Sequence, residues 1–361
     1  MPIQIFDYLS TYEQIREEIL AATDAVLKSG KLILGPQTSA FETEFARLVG
    51  AKCCIGVTSG TVALHLAMWA TGLGPGDEVI TVSNTCPPTI SAICLCGARP
   101  IFVDVSPVDL LIDLVRIEQA ITPRTRAIVS VHLWGHPTDM DGLQELAHRY
   151  NLTVIEDCAQ SQGAYFKNRH TGVMGKVGCF SFYPTKNLGA YGDAGAIVTN
   201  DEQLADKIRL MRMYGYTRPN YSELEGMNAR IAEIQAAILR VKMKYLSDWL
   251  KRRKEIAAYY LTEIDNPKLI LPHIYPERES AYHQFVIRCQ DRNEVITELE
   301  KNGITYGIHY PTPVHLMPPY QKYAANLPVC EEAASQILSI PVHEALTDAE
   351  VEKVIKVLQN I

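Results

Sequence analysis

The chain has 361 residues, 47% apolar and 21% charged, a balance that excludes a disordered or fibrous chain and suits about two domains. Its 34 Lys and Arg against 41 Asp and Glu leave a formal net charge of −7, which argues against a broad nucleic-acid or anionic-membrane footprint while leaving room for a local anion pocket. No apolar run reaches the roughly 20 residues that span a bilayer, and the opening MPIQIFDYLSTYEQ holds neither a basic leader nor an unbroken apolar stretch, so the expected location is cytoplasmic.

Through the first two hundred residues short apolar runs alternate with helical patterns. Strands are expected at 53–57, 78–83, 100–105, 126–133, 152–157, 178–183 and 194–199. Several are continuously apolar, as in parallel strands covered on both faces by helices. Helices fit at 61–71, 88–96, 114–121 and 139–150, the last opening on Asp139 as N-cap. This pattern predicts an α/β fold with loops gathered at the carboxyl ends of the strands, where such sheets hold ligands.

From 229 to 264, Ile231, Ile234, Ile238, Val241, Tyr245, Trp249, Ile256 and Tyr260 recur in steps of three, four and seven, which predicts one long helix with an apolar face. Asn266-Pro267 and the Pro-containing stretch 271–278 then interrupt the pattern. A smaller α+β segment follows, with 282–288, 293–302, 304–310 and 348–359. The expected division is a large domain over 1–250 and a small one over 251–361, with an N-terminal arm returning to the small domain.

Nine cysteines are an odd number, and Cys53-Cys54 and Cys94-x-Cys96 do not resemble zinc knuckles, so buried, reduced thiols are expected. The Asn-x-Ser/Thr triplets at Asn151 and Asn220 then carry no weight. His132 and His136 have the i, i+4 spacing of a helical metal pair, but Gly135 and Pro137 interrupt any helix there and favour a loop; no metal site is expected.

No G-x-G-x-x-G follows a strand: Gly172, Gly175 and Gly178 are spaced G-x-x-G-x-x-G, and Gly72, Gly74 and Gly76 precede a strand. A nicotinamide Rossmann enzyme is therefore disfavoured, and Walker and H-E-x-x-H motifs are absent. Three other features combine. Thr58-Ser59-Gly60-Thr61 joins a strand to a helix and offers backbone N–H groups and hydroxyls to an anion. Asp157 ends an apolar strand, and a carboxylate partly buried at the ligand edge needs a cationic or protonated partner. Lys186 follows another apolar strand and precedes a glycine-rich turn. One chemical solution uses all three: pyridoxal 5′-phosphate, with phosphate at Gly60 and Thr61, ring nitrogen at Asp157 and a Schiff base on Lys186.

The chain resembles the DegT/DnrJ/StrS family of pyridoxal-phosphate-dependent sugar aminotransferases over nearly its whole length. The matching stretches include Ser59-Gly60-Thr61-x-Ala63-Leu64, His132-x-Trp134-Gly135-His136-Pro137, Glu156-Asp157-x-Ala159-Gln160, Ser181-Phe182-x-Pro184-Thr185-Lys186, Gly226-x-Asn228-x-Arg230 and His309-Tyr310-Pro311-x-Pro313-x-His315-Leu316. The resemblance implies the aspartate-aminotransferase (type I) fold and transfer of an amino group from glutamate to a ketosugar carried on a nucleoside diphosphate, with pyridoxamine 5′-phosphate between half-reactions. It implies an internal aldimine on Lys186, which then shuttles a proton, and Asp157 on the ring nitrogen. Gln160 would pack beside the ring, and Ser181, Gly60 and Thr61 would take the phosphate. Asn228 would reach the phosphate from the other subunit of a homodimer. Tyr183, Arg230, His309, Tyr310 and His315 would lie on the substrate side, with Arg230 in a basic cleft suited to an anionic nucleotide.

One departure stands out. Family members commonly stack an aromatic residue on the cofactor ring where this chain reads Ser83-Asn84-Thr85-Cys86. Cys86 at that position forfeits π-stacking of about 1 kcal/mol, so weaker cofactor retention is expected. Three alternatives remain at this point: a dehydratase of the same family, in which the lysine is typically replaced by His; a type I enzyme acting on an amino acid; and a silent homologue that binds the cofactor or a sugar nucleotide.

Overall fold

The computed structural model describes residues 2–361. Its central sheet has seven strands: β1 Cys53–Val57, β2 Glu78–Val82, β3 Arg99–Val103, β4 Thr125–Val131, β5 Thr153–Asp157, β6 Val177–Ser181 and β7 Gly195–Thr199. They lie in the order β1-β7-β6-β5-β4-β2-β3. Every pairing is parallel except those of β7, which runs against both β1 and β6. The apolar runs follow from burial on both faces; β2 and β7 are buried at every position. Because β7 alone is reversed, its first residue, Gly195, pairs with Val57 and Ser181, the last residues of β1 and β6. The ends of the parallel strands and the start of β7 therefore meet at one edge.

Helix α1, Tyr8–Ser29, and helix α2, Pro36–Val49, precede the sheet, in a region that the sequence reads only as an arm. The arm itself is short: Ile3 bridges to Ile304 and is buried in a second core. Next come α3 Gly60–Ala70, α4 Pro87–Leu95, α5 Leu114–Ala120 and α6 Met140–Arg149, each within a residue or two of expectation. Asp139 caps α6 by accepting from the Gly142 N–H at 3.2 Å. Helix α7, Glu202–Met211, is an addition to the expected elements and is capped by Asp201, which accepts from the Leu204 N–H at 3.0 Å.

The single long helix expected over 229–264 is instead two, α8 Glu233–Met243 and α9 Leu246–Glu263. Between them the Lys244 N–H donates to Val241 and the Tyr245 N–H to Lys242, a tightened three-residue spacing that ends the α-helical ladder. No Pro or Gly marks the break, and the apolar spacing continues across it. Residues before α8 are extended, with Arg230 bridging to Val57. Ile238, Val241 and Trp249 share a cluster with Ile15 and Ile19 of α1, whereas Ile256 and Tyr260 enter the second core.

That second core covers a three-stranded antiparallel sheet of β8 Leu269–Ile270, β9 Phe285–Cys289 and β10 Ile337–Ile340. Around it in the chain lie α10 Arg292–Lys301, α11 Pro328–Gln336 and α12 Asp348–Gln359. Helix α11 faces the main core through Cys330 and Ala333. Its start is held by Asp104, whose two oxygens accept from the Val329 and Cys330 N–H groups at 3.0 and 2.9 Å. The expected element at 304–310 is reduced to isolated bridges, Ile304 to Ile3 and Gly307 to Ser339. The nine cysteines are free thiols, and six are buried. Among the described residues no helix is long and apolar enough to cross a membrane.

Candidate active site

At the edge where β1, β4, β5 and β6 end and β7 begins there is a cavity of about 280 Å³. It brings together Ser59, Gly60, Thr61, Cys86, Asp157, Gln160, Ser181, Tyr183 and Lys186, residues drawn from four separate segments of the sequence.

Ser59 caps α3, its hydroxyl accepting from the Val62 N–H at 3.2 Å. A Cβ on Gly60 would stand 2.6 Å from the Ser181 Cβ, and one on Gly195 would stand 2.4 Å from the Ser59 carbonyl carbon. These two glycines let three strand ends converge. The first turn of α3 thus meets the hydroxyls of Ser59, Thr61 and Ser181 in a small space, an arrangement suited to a phosphate.

Asp157 is buried at the end of β5. Thr89 Oγ1 donates to its Oδ2 at 2.8 Å and the Ala159 N–H to its Oδ1 at 3.1 Å. Burial nevertheless pushes the carboxyl above its ordinary range, against the pull of those donors and of Lys186. A cation beside Asp157 reverses that balance and shares its proton, which is what a pyridine nitrogen supplies.

The neighbouring Glu156 points to the other side of the strand and does a different job. Its oxygens accept from the N–H groups of Gly172, Met174 and Gly175 at 2.7, 2.8 and 2.5 Å and from His132 Nε2 at 3.0 Å. The Thr138 N–H donates to His132 Nδ1 at 3.1 Å, so the ring proton belongs on Nε2. Although burial opposes it, this set of donors holds the Glu156 carboxyl below its ordinary range. Glu156 therefore pins the strand end that carries Asp157. Cys158 is the third member of this buried group, but the lone pairs of Glu156 and His132 already receive donors.

Lys186 leaves β6 in a turn closed by the Lys186 N–H to Tyr183 at 2.8 Å and the Ala190 N–H to Phe182 at 2.8 Å. Asn187 ties the turn to the carboxyl-terminal part: Nδ2 donates to the Ala281 carbonyl at 3.0 Å, and Oδ1 meets His283 Nδ1 at 3.2 Å. Burial pulls the Lys186 ammonium below its ordinary pKa, with Asp157 acting in the opposite direction. A neutral amine, the form that attacks carbonyls and removes protons, is thereby easier to reach.

Gln160 is a joint. Its Oε1 accepts from the Trp134 N–H at 2.6 Å and its Nε2 donates to the Tyr310 hydroxyl at 2.8 Å. Trp134 Nε1 in turn donates to the His309 carbonyl at 2.9 Å. The Tyr310 hydroxyl also meets the Cys86 thiol, so an aromatic residue from the distant loop stands beside the position where the stacking residue is missing.

The other expected residues lie elsewhere. His309 bonds to Ser339 Oγ at 2.8 Å and lines a separate, smaller cavity with Arg253. His315, expected on the substrate side, is instead 1% exposed and faces inward: Nδ1 meets Ser83 Oγ at 2.7 Å and Nε2 meets Glu331 at 3.3 Å. Its ring ties the loop to the end of β2, a use of histidine that a Pro-rich motif does not reveal. Asn228 is exposed, and its Oδ1 accepts from Arg230 Nε at 2.9 Å; neither lines this chain's cavity. Conversely Thr89, His132 and Asp193 line the cavity in addition to the expected site residues. For Thr89 a signal existed, since Pro87-Pro88 starts a helix at the ligand edge and places Thr89 in its first turn.

The sequence profile of the DegT/DnrJ/EryC1/StrS aminotransferase family matches residues 13–359. The erythromycin biosynthesis sensory transduction protein EryC1 of Saccharopolyspora erythraea is 43% identical, covering 99% of both chains. A dTDP-3-amino-3,4,6-trideoxy-alpha-D-glucose transaminase of Streptomyces venezuelae is 42% identical over 99% of this chain and 96% of its own. The crystal structure of S. venezuelae DesV in complex with a ketimine intermediate superposes with a TM-score of 0.97 at 41% identity, covering 99% of this chain and 98% of that one.

Proposed function

The chain belongs to the DegT/DnrJ/EryC1/StrS aminotransferase family, and from that premise we propose that it transfers an amino group from glutamate to a keto-deoxysugar carried on a nucleoside diphosphate. The family depends on pyridoxal phosphate. The observation that carries the reading is the convergence of Lys186, Asp157 and the first turn of α3 on one cavity.

Bound there, pyridoxal phosphate supplies an electrophilic carbon for the amino group and a ring that spreads negative charge from the reacting carbon. Ser59, Gly60, Thr61 and Ser181 hold the phosphate. Asp157 holds the proton of the ring nitrogen, for which its buried, doubly hydrogen-bonded carboxyl is suited. Lys186 would hold the cofactor through its Nζ, and the same amine, when neutral, would serve as the base that moves the proton. Gln160 and Tyr310 border the ring, and Tyr183, 53% exposed at the rim, meets the sugar. In this reading Asn228 and Arg230 serve the neighbouring subunit of a homodimer, where Arg230 neutralises the diphosphate. Residues 1–250 form the cofactor-binding part and 251–361 the smaller covering part, and the enzyme works in the cytoplasm.

A two-stage experiment tests this. The purified holoenzyme is converted with glutamate, the donor is removed, and dTDP-, UDP- and GDP-linked 3-keto and 4-keto sugars are added singly. One of them should restore the original visible spectrum. Restoration by amino-acid-derived 2-keto acids alone would refute the sugar substrate, and a Lys186→Ala protein with an unchanged spectrum would refute the site.

A further inference from the structure

Lys242, on α8, is 5% exposed. Its ammonium donates to the Gly189 carbonyl at 2.7 Å and lies 3.9 Å from the centre of the Tyr191 ring. The carboxylate that acts on it through space, Glu344, is itself paired with Arg253 at 2.8 Å. A lysine taken this far out of water is costly unless its contacts repay desolvation, and both close contacts are on Gly189 and Tyr191, just past Lys186. Burial brings its pKa down to about 8, which leaves the cation the majority form at neutral pH.

The same helix grips the turn a second time. Gln235 Oε1 accepts from the Tyr191 N–H at 3.0 Å, and Gln235 Nε2 donates to the Tyr191 carbonyl at 3.3 Å. At its other end the turn folds back on itself: a Cβ on Gly189 would stand 2.5 Å from the Pro184 carbonyl oxygen. The carbonyl that Lys242 holds is thus packed against the residue two positions before Lys186, and a shift at Gly189 is passed to the start of the turn.

We propose that Lys242 is a positioning residue for Lys186, holding the glycine-rich turn from α8 so that the Lys186 amine is presented at a fixed height in the cavity. The proposal rests on Lys186 being the residue that carries the cofactor. A charge-assisted hydrogen bond and a cation–π contact give it two independent grips, and it acts without touching the cavity.

The test uses holoenzymes of the wild type, Lys242→Met and Lys242→Gln, the last keeping a donor for Gly189 without the charge. Hydrogen exchange is followed by mass spectrometry in peptides covering 182–192, with β7 as the reference. Lys242→Met should exchange about tenfold faster in the turn and unchanged in β7, as loss of one charged hydrogen bond predicts. Its glutamate half-reaction should slow by about tenfold with KM little changed, and the pH midpoint of the bound cofactor's visible absorption should move by about half a unit or more. Lys242→Gln should recover part of the exchange protection, and it carries the same comparison if the Met variant does not fold. Turn exchange and midpoint both at wild-type values would overturn the proposal, as would loosening spread evenly over the sheet. Borohydride reduction and peptide mapping of the wild type separate the premises. Cofactor fixed away from Lys186 defeats the site assignment; cofactor fixed at Lys186 with a wild-type turn in both variants defeats the role of Lys242 alone.

Discussion

Thr89 Oγ1 donates to Asp157 Oδ2 across 2.8 Å, and Thr85 Oγ1 lies 2.9 Å behind it. Since Thr89 spends its proton on the carboxylate, Thr85 must be the donor in the second bond, and the two hydroxyls form a chain directed at Asp157. Removing the first link leaves burial less opposed. We expect Thr89→Val to lower kcat about tenfold and to move the acid limb of the pH–rate profile upward, with a stability loss of about 1 kcal/mol. An unmoved acid limb in that profile would show that Thr89 does not tune Asp157.

His170 gives the fold a defined sensitivity to acid. Its Nε2 accepts from the Gly163 N–H at 3.0 Å and its Nδ1 donates to the Thr171 carbonyl at 2.6 Å, so both nitrogens are satisfied only in the neutral ring. Burial pushes its pKa down to about 4, below the value near 6.5 of an unfolded histidine. Between these values the unfolded chain binds the proton and the folded one does not, so stability rises with pH and is lost as pH falls from about 6.5 to about 4. The contribution is about 3 kcal/mol. Urea unfolding at stepped pH should show this slope in the wild type and a shallower one in His170→Phe, whatever the latter's absolute stability.

Cys86 offers a test of cofactor retention. Cys86→Tyr restores a stacking surface worth about 1 kcal/mol, which predicts roughly fivefold slower loss of pyridoxal phosphate during dialysis. Faster loss in the variant would mean that Tyr310, already held by Gln160, occupies the place the new ring needs.

The proposed role of Asn228 across a subunit boundary predicts complementation. Lys186→Ala and Asn228→Asp should each be nearly inactive alone. Refolded together in equal amounts they should regain about a quarter of wild-type activity, because half of randomly formed dimers then contain one intact site of two. No recovery, with mixed dimers demonstrated by native mass spectrometry, would place Asn228 in its own chain's site.

Much of this arrangement was legible in the sequence because parallel strands leave uninterrupted apolar runs and their last residues fall at the ligand edge. Asp157, Lys186 and Gly60 were legible that way as residues that line one cavity. The break between α8 and α9 was not, since hydrogen bonds at Lys244 and Tyr245 tighten the chain without a Pro, a Gly or a change in apolar spacing. Thr89, His132 and Glu344 act through partners tens or hundreds of residues away, and such bonds leave no periodic trace. His315 shows the reverse case: a motif residue expected on the substrate side whose ring is committed to Ser83 and Glu331.

The chain between Ser181 and Gly195 leaves the sheet and returns to it at two residues paired in one ladder, so Lys186 hangs from an arch with both feet on adjacent strands. A pull on the crown of a free hairpin would peel its strands apart one bond at a time. Here the returning strand is also zipped to β1 along its far side, from Gly195 to Thr199. Force applied at the lysine is shared among three strands instead of parting two. The residue proposed to carry the cofactor is thereby mounted beside a strand that is paired along both of its sides.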